Sequence, residues 1–265
     1  MSEIVIPSNT IVFLVTRKVI PNGYYVWLAE TLGKHMRVFV MSDWDFSYQF
    51  ENATYLHMSD EECLASNYKY CVFNKVDIVG DPCPRHVTAW DKMLLYLNKY
   101  NVDYDYVWLI EDDVYMHSEK HALKLFDRYK DNHVDYIAKD FFNLHTHPGW
   151  VQWYVCNGVF DKEDWCGAFT PLCRLSKKLV QKCDLIAKER GCLALIEALF
   201  PSIVKKYNLT ADSGWLSTCP IRTCPDVSAH EIRNILAVYP DTIFHPVELS
   251  DEEKFALMKE ITVSI

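Results

Sequence analysis

A short apolar segment that ends in three consecutive acids is the feature that most constrains this chain. Residues Tyr106 to Ile110 are aromatic or branched and too few for a typical helix, so they predict a buried strand of a parallel sheet. Glu111, Asp112 and Asp113 follow at once, at the strand end where open α/β sheets place their ligands. Adjacent carboxylates repel one another unless water or a cation offsets their charge. Since clustered oxygen ligands suit Mg²⁺ or Mn²⁺, the segment predicts a divalent metal site.

Strand-like and helix-like segments alternate along the first half of the sequence. Strands are predicted at residues 11–15, 37–41, 106–110 and 134–138, with shorter pieces around Tyr55 and Val72. Helices are predicted from Asn22 to Leu32, after Pro84, and after the capping residue Ser118. This alternation predicts an α/β fold, a three-layer α/β/α sandwich with a mainly parallel central sheet.

Two segments carry more specific expectations. In the helix after Pro84, apolar residues recur at steps of three and four, which leaves Asp91 and Lys92 on a flank. Residues 140–171 are rich in aromatic side chains and His with few periodic cues, and we predict loops that face a substrate. Helices are expected beyond them at 176–189 and 192–206, the second interrupted by Pro201.

Composition excludes several classes of protein. Half of the residues are hydrophobic and the formal net charge is -9, which argues against extended disorder and against a general nucleic-acid binder. The N-terminus lacks the pattern of a signal peptide, and no apolar run reaches the length of a membrane span. We therefore expect a cytoplasmic protein with no transmembrane segment and no nucleic-acid partner.

The ten cysteines show neither the dense framework of a small secreted domain nor paired CxxC motifs. Cys71, Cys183 and Cys192 fall within apolar patterns and are interpreted as small buried hydrophobic residues. This usage favours a reducing, cytoplasmic setting. His145 and His147 lie near another cysteine, but the second half of a zinc-ligand pattern is missing, so they are interpreted as loop residues.

The acid-tipped strand resembles the metal-binding part of glycosyltransferases of the GT-A fold. Those enzymes use nucleotide-sugar donors, and their DXD-type motif at a strand end holds Mn²⁺ or Mg²⁺ against the donor diphosphate. Glu111-Asp112-Asp113 is similar to that motif, with Glu in place of the first Asp. His245 is similar to the late His that completes the metal shell in many members. The sequence also resembles uncharacterised glycosyltransferase-like proteins of algae and their large viruses.

This resemblance implies a set of metal ligands and a layout of the domain. Asp113, Glu111 and His245 are the expected ligands, and an imidazole ligand favours Mn²⁺ over Mg²⁺. The chain is expected to be a single domain over 1–265. A nucleotide-sugar-binding half would span about 1–139, and an acceptor-binding and catalytic half about 140–265.

A donor pocket is implied at the ends of the first strands. The expected donor-binding residues are Thr16, Arg17, Asp43, Lys92, Glu111 and Asp112. Thr16 and Arg17 end the first strand and Asp43 follows the second, although a polar strand end has the same composition. Lys92 beside an acid also fits an ordinary solvated helix face.

Inverting members of the family need a carboxylate that deprotonates the acceptor hydroxyl. Glu197 is the expected base, because its apolar neighbours would raise its pKa, and Asp164 is the second candidate. Glu197 equally fits a polar residue on a helix flank. Trp150, Trp153 and Trp165 are either a platform for sugar rings or anchors of the core.

The predicted activity is metal-dependent transfer of a sugar, with inversion, from a nucleotide-diphosphate-sugar donor to a glycan or another hydroxyl acceptor. Two alternatives stay open. A phosphohydrolase or nucleotidyltransferase also places acids at strand ends, and a non-catalytic relative would bind sugars without turnover. Enzymes with a P-loop or a dinucleotide fingerprint are disfavoured, since GxxxxGK[ST] and GxGxxG are absent and the chain has only 8 glycines.

Overall fold

The computed structural model describes residues 9–17, 23–71, 86–214, 216 and 227–264. The strands are β1 Thr10–Thr16, β2 Arg37–Ser42, β3 Thr54–Leu56, β4 Tyr106–Glu111, β5 Tyr136–Asn143, β6 Cys166–Ser176 and β7 Ala211–Asp212. The helices are α1 Gly23–Gly33, α2 Asp60–Ala65, α3 Ala89–Lys99, α4 Glu119–Arg128, α5 Lys177–Arg190, α6 Ile196–Lys206, α7 Ala229–Val238 and α8 Asp251–Ser264. Within these ranges no helix is long and apolar enough to cross a membrane. The expected cap at Asn22, the piece at Val72 and three cysteines (Cys83, Cys219 and Cys224) lie outside the described residues.

Seven strands form one sheet in the order β3-β2-β1-β4-β6-β5-β7. The pairs β3–β2, β2–β1, β1–β4 and β5–β7 are parallel, whereas β6 runs antiparallel to both of its neighbours. The predicted mainly parallel sheet is therefore confirmed. β5 spans residue 139, where the two halves of the domain were expected to meet.

Alternating side chains of the central strands fill two separate cores. In β1, Ile11 and Phe13 face a core shared with α3, α5 and α6, while Val12 and Leu14 face a core shared with α1 and α4. Because successive side chains of a strand point to opposite faces, a continuous apolar run fits only a strand covered on both sides. The predicted three-layer α/β/α arrangement is confirmed.

The prediction of loops over 140–171 is wrong in part. β5 continues to Asn143, and β6 begins at Cys166 as an 11-residue strand. The register between β5 and β6 slips twice, between Ile137 and Lys139 and between Lys139 and Phe142. Such slips break the alternation of polar and apolar residues that identifies a strand in sequence. Short 3₁₀ turns at Trp153–Cys156 and Lys162–Asp164 occupy part of the remaining segment.

Pro201 does not interrupt α6, which runs from Ile196 to Lys206. A proline inside a helix removes one backbone N–H, which here would have bonded the carbonyl of Glu197 one turn earlier. Pro201 is buried, as are its neighbours Phe200 and Ser202, so packing of α6 against β6 supports the helix across this position.

Asp91 and Lys92 do not face solvent as predicted. Both side chains are buried on α3, because polar partners surround them. Asp91 accepts hydrogen bonds from the backbone N–H and the hydroxyl of Thr88, each at 2.8 Å. The Lys92 ammonium lies 2.9 Å from an oxygen of Asp60 and donates to the carbonyl of Asp43, also at 2.9 Å.

The helix α8 contacts the start of α1. Asp251, at the start of α8, accepts hydrogen bonds from the backbone N–H groups of Gly23 and Tyr24. The Tyr24 hydroxyl in turn bonds the backbone of Met116 beyond β4. An anion-binding helix terminus is thereby filled by a side chain of the protein itself.

Cys71 and Cys192 are not separate buried thiols but form a disulfide, with their Cα atoms 5.0 Å apart. The disulfide joins the segment after α2 to the segment before α6, where Tyr70 and Leu193 also form a parallel bridge. Disulfides persist mainly in oxidising compartments, so this pairing does not favour the reducing setting inferred from cysteine usage. Cys183 is buried and free, as predicted.

We predict that Gly33→Ala destabilises the fold by about 1–3 kcal/mol, the usual cost of overpacking. A β-carbon at position 33 would clash with the backbone of Asn52. That backbone cannot move away freely, because Glu30 accepts hydrogen bonds from the N–H groups of Glu51 and Asn52, both at 2.7 Å. Urea denaturation measures the loss. Gly149→Ala is the control, since nothing lies within 4 Å of its added carbon, and an equal effect of both changes would contradict the clash.

Candidate metal and donor site

The polar C-terminal ends of three parallel strands, β2, β1 and β4, lie at one edge of the sheet. In the register of β1 and β4, Val15 lies opposite Glu111, and in that of β1 and β2, Thr16 lies opposite Ser42. The backbone N–H of Asp43 donates to the carbonyl of Thr16 at 3.0 Å. The ends of β2, β1 and β4 therefore lie side by side, about 5 Å apart from strand to strand. Ligands of open α/β sheets bind at this edge.

Glu111, Asp113 and His245 form a compact triad at the end of β4. Their nearest ligand atoms all lie within 4.8 Å of one another. Nε2 of His245 is 3.3 Å from an oxygen of Glu111 and 3.1 Å from Oδ1 of Asp113. The segment carrying His245 is held by Phe244, which exchanges backbone hydrogen bonds with Tyr115. All three side chains are mostly buried, with exposures of 14% to 23%.

The triad sets the charge state of its members. Burial alone would lower the pKa of His245, but contacts with the carboxylates of Asp113 and Glu111 raise it to about 9. Burial, together with the nearby charges of Asp113 and Asp112, raises the pKa of Glu111, while His245 opposes that rise. The imidazole is therefore protonated at neutral pH and offsets part of the negative charge of the strand end.

The residues of the triad fit a divalent metal. Two carboxylates and one imidazole are a donor set suited to Mn²⁺, and an imidazole is a poorer ligand for Mg²⁺. Among the described residues, this is the one group of His, Cys, Asp and Glu side chains spaced to hold an ion. Nδ1 of His245 is buried without a hydrogen-bond partner among the residues that the structure describes. The role of Asp113, Glu111 and His245 as ligands stays a prediction.

Asp112 does not belong to the triad, although its charge acts on Glu111. Its carboxylate lies near Tyr25 of α1, whose pKa is raised well above the usual value by burial and then by the charge of Asp112. The three acids of the sequence motif thus divide between two surroundings, with Glu111 and Asp113 beside His245 and Asp112 beside α1.

The expected donor residues at β1 and β2 are not equally accessible. Nε of Arg17 lies 3.8 Å from Asp43, and nearly half of the Arg17 side chain is exposed. Asp43 is buried and accepts a hydrogen bond of 2.6 Å from the N–H of Ala89, at the start of α3. Thr16 is buried too. Lys92 is held by Asp60 and the carbonyl of Asp43, so it supports the end of β2 and does not project from it.

Glu197 lies close enough to the triad for its charge to interact with Glu111 and His245. It lies in the first turn of α6, which packs against β6, the neighbour of β4. One oxygen of Glu197, Oε2, is shielded from solvent and has no hydrogen-bond partner among the described residues. Burial, followed by the charge of Glu111, raises the pKa of Glu197 to about 7. A carboxylate tuned in this way is half ionised near neutral pH, where a general base is most effective.

Asp164 is not brought to this site. It lies in the 3₁₀ turn before β6 and forms an ion pair of 3.8 Å with Lys206, at the far end of α6 from Glu197. Between the two sequence candidates, the geometry favours Glu197.

A cavity of about 960 Å³ opens beside Glu197 and was not foreseen as such from the sequence. Its lining is Asp140, Phe141, Phe142, His147, Gly149, Trp150, Gln152, Ala168, Phe169, Glu197 and Ser213. The ring of Phe169 also packs edge-on against His245, with centroids 5.3 Å apart, so the cavity adjoins the triad. Trp153 and Trp165 are buried in the core, whereas Trp150 is partly exposed to the cavity.

Comparison with known proteins returned distant structural similarity. No family model and no curated protein matches the chain. An active-site mutant of LgtC is 11% identical with a TM-score of 0.45, covering 95% of each chain. A glycosyltransferase involved in the glycosylation of the major capsid of PBCV-1 is 9% identical with a TM-score of 0.37, covering 94% of this chain and 98% of that one. The 2-C-methyl-D-erythritol 4-phosphate cytidylyltransferase from Thermus thermophilus is 10% identical with a TM-score of 0.40, covering 76% of this chain and 87% of that one.

We predict that Mn²⁺ binding at pH 7 releases about one proton, because a metal must displace the proton that His245 holds with a pKa of about 9. Affinity should rise about tenfold per pH unit below that pKa and level off above it. Isothermal titration calorimetry in buffers of different ionisation enthalpy measures both effects.

Two variants test whether the proton comes from His245. His245→Gln should weaken Mn²⁺ binding and remove the rise of affinity with pH between 7 and the His245 pKa of about 9, whereas His147→Gln, at an exposed histidine outside the triad, should change neither. A rise of affinity toward pH 9 that persists in His245→Gln would show that another group supplies the proton.

Proposed function

We propose that this protein is an inverting, Mn²⁺-dependent glycosyltransferase that uses a nucleotide-diphosphate-sugar donor. The observation that carries the proposal is that a cluster of possible metal ligands and a buried carboxylate lie close together near the end of β4. Glu111, Asp113 and His245 form the cluster, which is suited to a divalent metal. Next to it, Glu197 presents a carboxylate with a pKa of about 7 to a cavity large enough for a second substrate.

The donor would lie along the edge formed by β2, β1 and β4. Arg17, held by an ion pair with the buried Asp43, would contact its nucleoside, and Glu111 and Asp113 with His245 would hold the metal at its diphosphate. A bound Mn²⁺ would stabilise the negative charge that gathers on the leaving diphosphate. Asp112, whose charge acts on Tyr25 of α1, would contact the donor from that side.

Glu197 would act as the general base toward the acceptor. As the acceptor oxygen forms its bond to the anomeric carbon, the hydroxyl proton passes to Glu197, and the bond from that carbon to the diphosphate oxygen breaks with its electron pair. A single displacement of this kind inverts the anomeric configuration. The apolar ring of Phe169 packs on His245 and lines the same cavity as Glu197, where it would help to exclude water.

We predict that one class among UDP-, GDP- and dTDP-sugars raises the melting temperature, that it requires Mn²⁺ to do so, and that CMP-sugars, which carry a single phosphate, do not. A ligand present at a hundred times its Kd stabilises the native state by about 2.7 kcal/mol. Asp113→Ala should remove the shift, because the metal loses a carboxylate ligand. Asp131→Ala, at an exposed acid, is the matched control. An equal shift in wild type and Asp113→Ala would refute the metal assignment, and no shift with any donor would refute the function.

We predict that Glu197→Gln keeps donor binding and loses transfer by about 10²–10⁴-fold, the usual contribution of a general base. In the wild type the transfer rate should fall as the pH drops below about 7, since protonated Glu197 cannot accept a proton. Initial rates of nucleotide release, with Mn²⁺ and donor kept saturating at every pH, measure the effect over a pH series that brackets this pKa. Glu163→Gln, at an exposed acid, should leave the profile unchanged. An acid limb that survives in the residual activity of Glu197→Gln would assign the base elsewhere.

A further inference from the structure

The cavity beside Glu197 has two kinds of wall. Four aromatic residues, Phe141, Phe142, Trp150 and Phe169, line part of it. Polar side chains line the same space, among them Asp140, Gln152 and Ser213. Ligand pockets that combine an apolar lining with a few placed polar groups bind molecules that are themselves amphipathic.

Trp150 is the ring best placed to receive a flat ligand. It is held edge-to-face by Phe142, with centroids 5.1 Å apart, and by Trp153, at 4.6 Å. These contacts fix the indole while part of it reaches the cavity. A pyranose has one face of C–H groups, and burial of that face on a fixed aromatic ring is favourable without ordering a flexible side chain.

Asp140 is presented to the same cavity by a distortion of the sheet. The pairing of β5 with β6 steps from Lys139 opposite Phe169 to Phe142 opposite Gly167, three residues along β5 against two along β6, so β5 contains one extra residue. Asp140 lies in this bulge with a φ of 53°, in the left-handed region that non-glycine residues rarely occupy. Bulges of this kind redirect a side chain and are frequent beside active sites.

The charge of Asp140 is only weakly offset. Its side chain is 58% exposed, and Nζ of Lys139 lies 3.9 Å away. A carboxylate in this position accepts hydrogen bonds from two neighbouring hydroxyls and repels an anion. The side chain of Glu197 also lines this cavity.

We propose that this cavity is an acceptor subsite for a neutral saccharide, with Trp150 stacking on one sugar ring and Asp140 binding its hydroxyls. The inference rests on the proposed function and adds the chemical class of the acceptor. It makes Trp150 and Asp140 residues that determine acceptor specificity, whereas Glu197 carries out the chemistry.

Direct saccharide binding tests the proposal without any donor or metal. Saturation-transfer difference NMR with lactose, cellobiose, maltose and chitobiose, and with sialyllactose and a Ser/Thr-rich peptide as competitors, measures which class binds. At least one neutral disaccharide should bind the wild type. Trp150→Ala and Asp140→Asn should weaken it about tenfold or more, Trp150→Phe should retain much of it, and Tyr239→Ala and Asp131→Asn, at exposed positions outside the cavity, should not change it.

Three outcomes would overturn the acceptor assignment. The first is binding of only sialyllactose or only the peptide, and the second is that no neutral disaccharide binds. The third is binding of a neutral disaccharide that survives Trp150→Ala. The result is separable from the test of the donor site. Metal-dependent donor binding without saccharide binding rejects this inference alone, whereas saccharide binding without donor binding leaves the subsite and rejects the transferase.

Discussion

The charge of one imidazole holds two carboxylates together at the end of β4. His245 lies within 3.3 Å of both Glu111 and Asp113, and in return these acids raise its pKa to about 9. Without a cation of some kind, two mostly buried carboxylates at this spacing would repel each other strongly. The same contact joins the segment around His245 to the end of β4. His245 follows Phe244, which pairs with Tyr115 just beyond β4. A site that needs one positive charge to form is suited to exchange that proton for a metal.

The surroundings of the triad follow from strand register more than from local sequence. Parallel pairing of β2, β1 and β4 brings Asp43, Thr16 and Glu111 to one edge, although they are far apart along the chain. The other wall depends on β6, the strand that reverses direction between β4 and β5. The change of direction at β6 separates the polar edge formed by β2, β1 and β4 from the cavity that Phe169 and Glu197 line.

The parts of the fold that could be predicted from the sequence are those governed by local pattern. Continuous apolar runs identified β1, β2 and β4, and a capping serine identified the start of α4, which Ser118 caps through the N–H of His121. β6 was not predicted from the sequence, because Pro171 and Arg174 are unusual in a central strand. Arg174 is buried there since it donates to the carbonyls of Tyr129 and Val134, partners that no local pattern reveals.

The candidate site divides in the same way. Acids that directly follow an apolar run pointed to Glu111 and Asp113, whereas Glu197 was expected from the family resemblance, with its apolar neighbours as support. The burial of Lys92 was not visible, because its partner Asp60 lies on another helix. Asp140 could not be predicted as a site residue either, because nothing in the local sequence distinguishes it from other exposed acids. Its place in the cavity depends on the bulge in β5.

Phe169 contacts both the triad and the cavity beside Glu197. Its ring packs on His245, and it pairs with Lys139 at the edge of the bulge that carries Asp140. Because Phe169 belongs to β6, the strand that runs antiparallel to β4 and β5 carries the side chain that both parts of the site share.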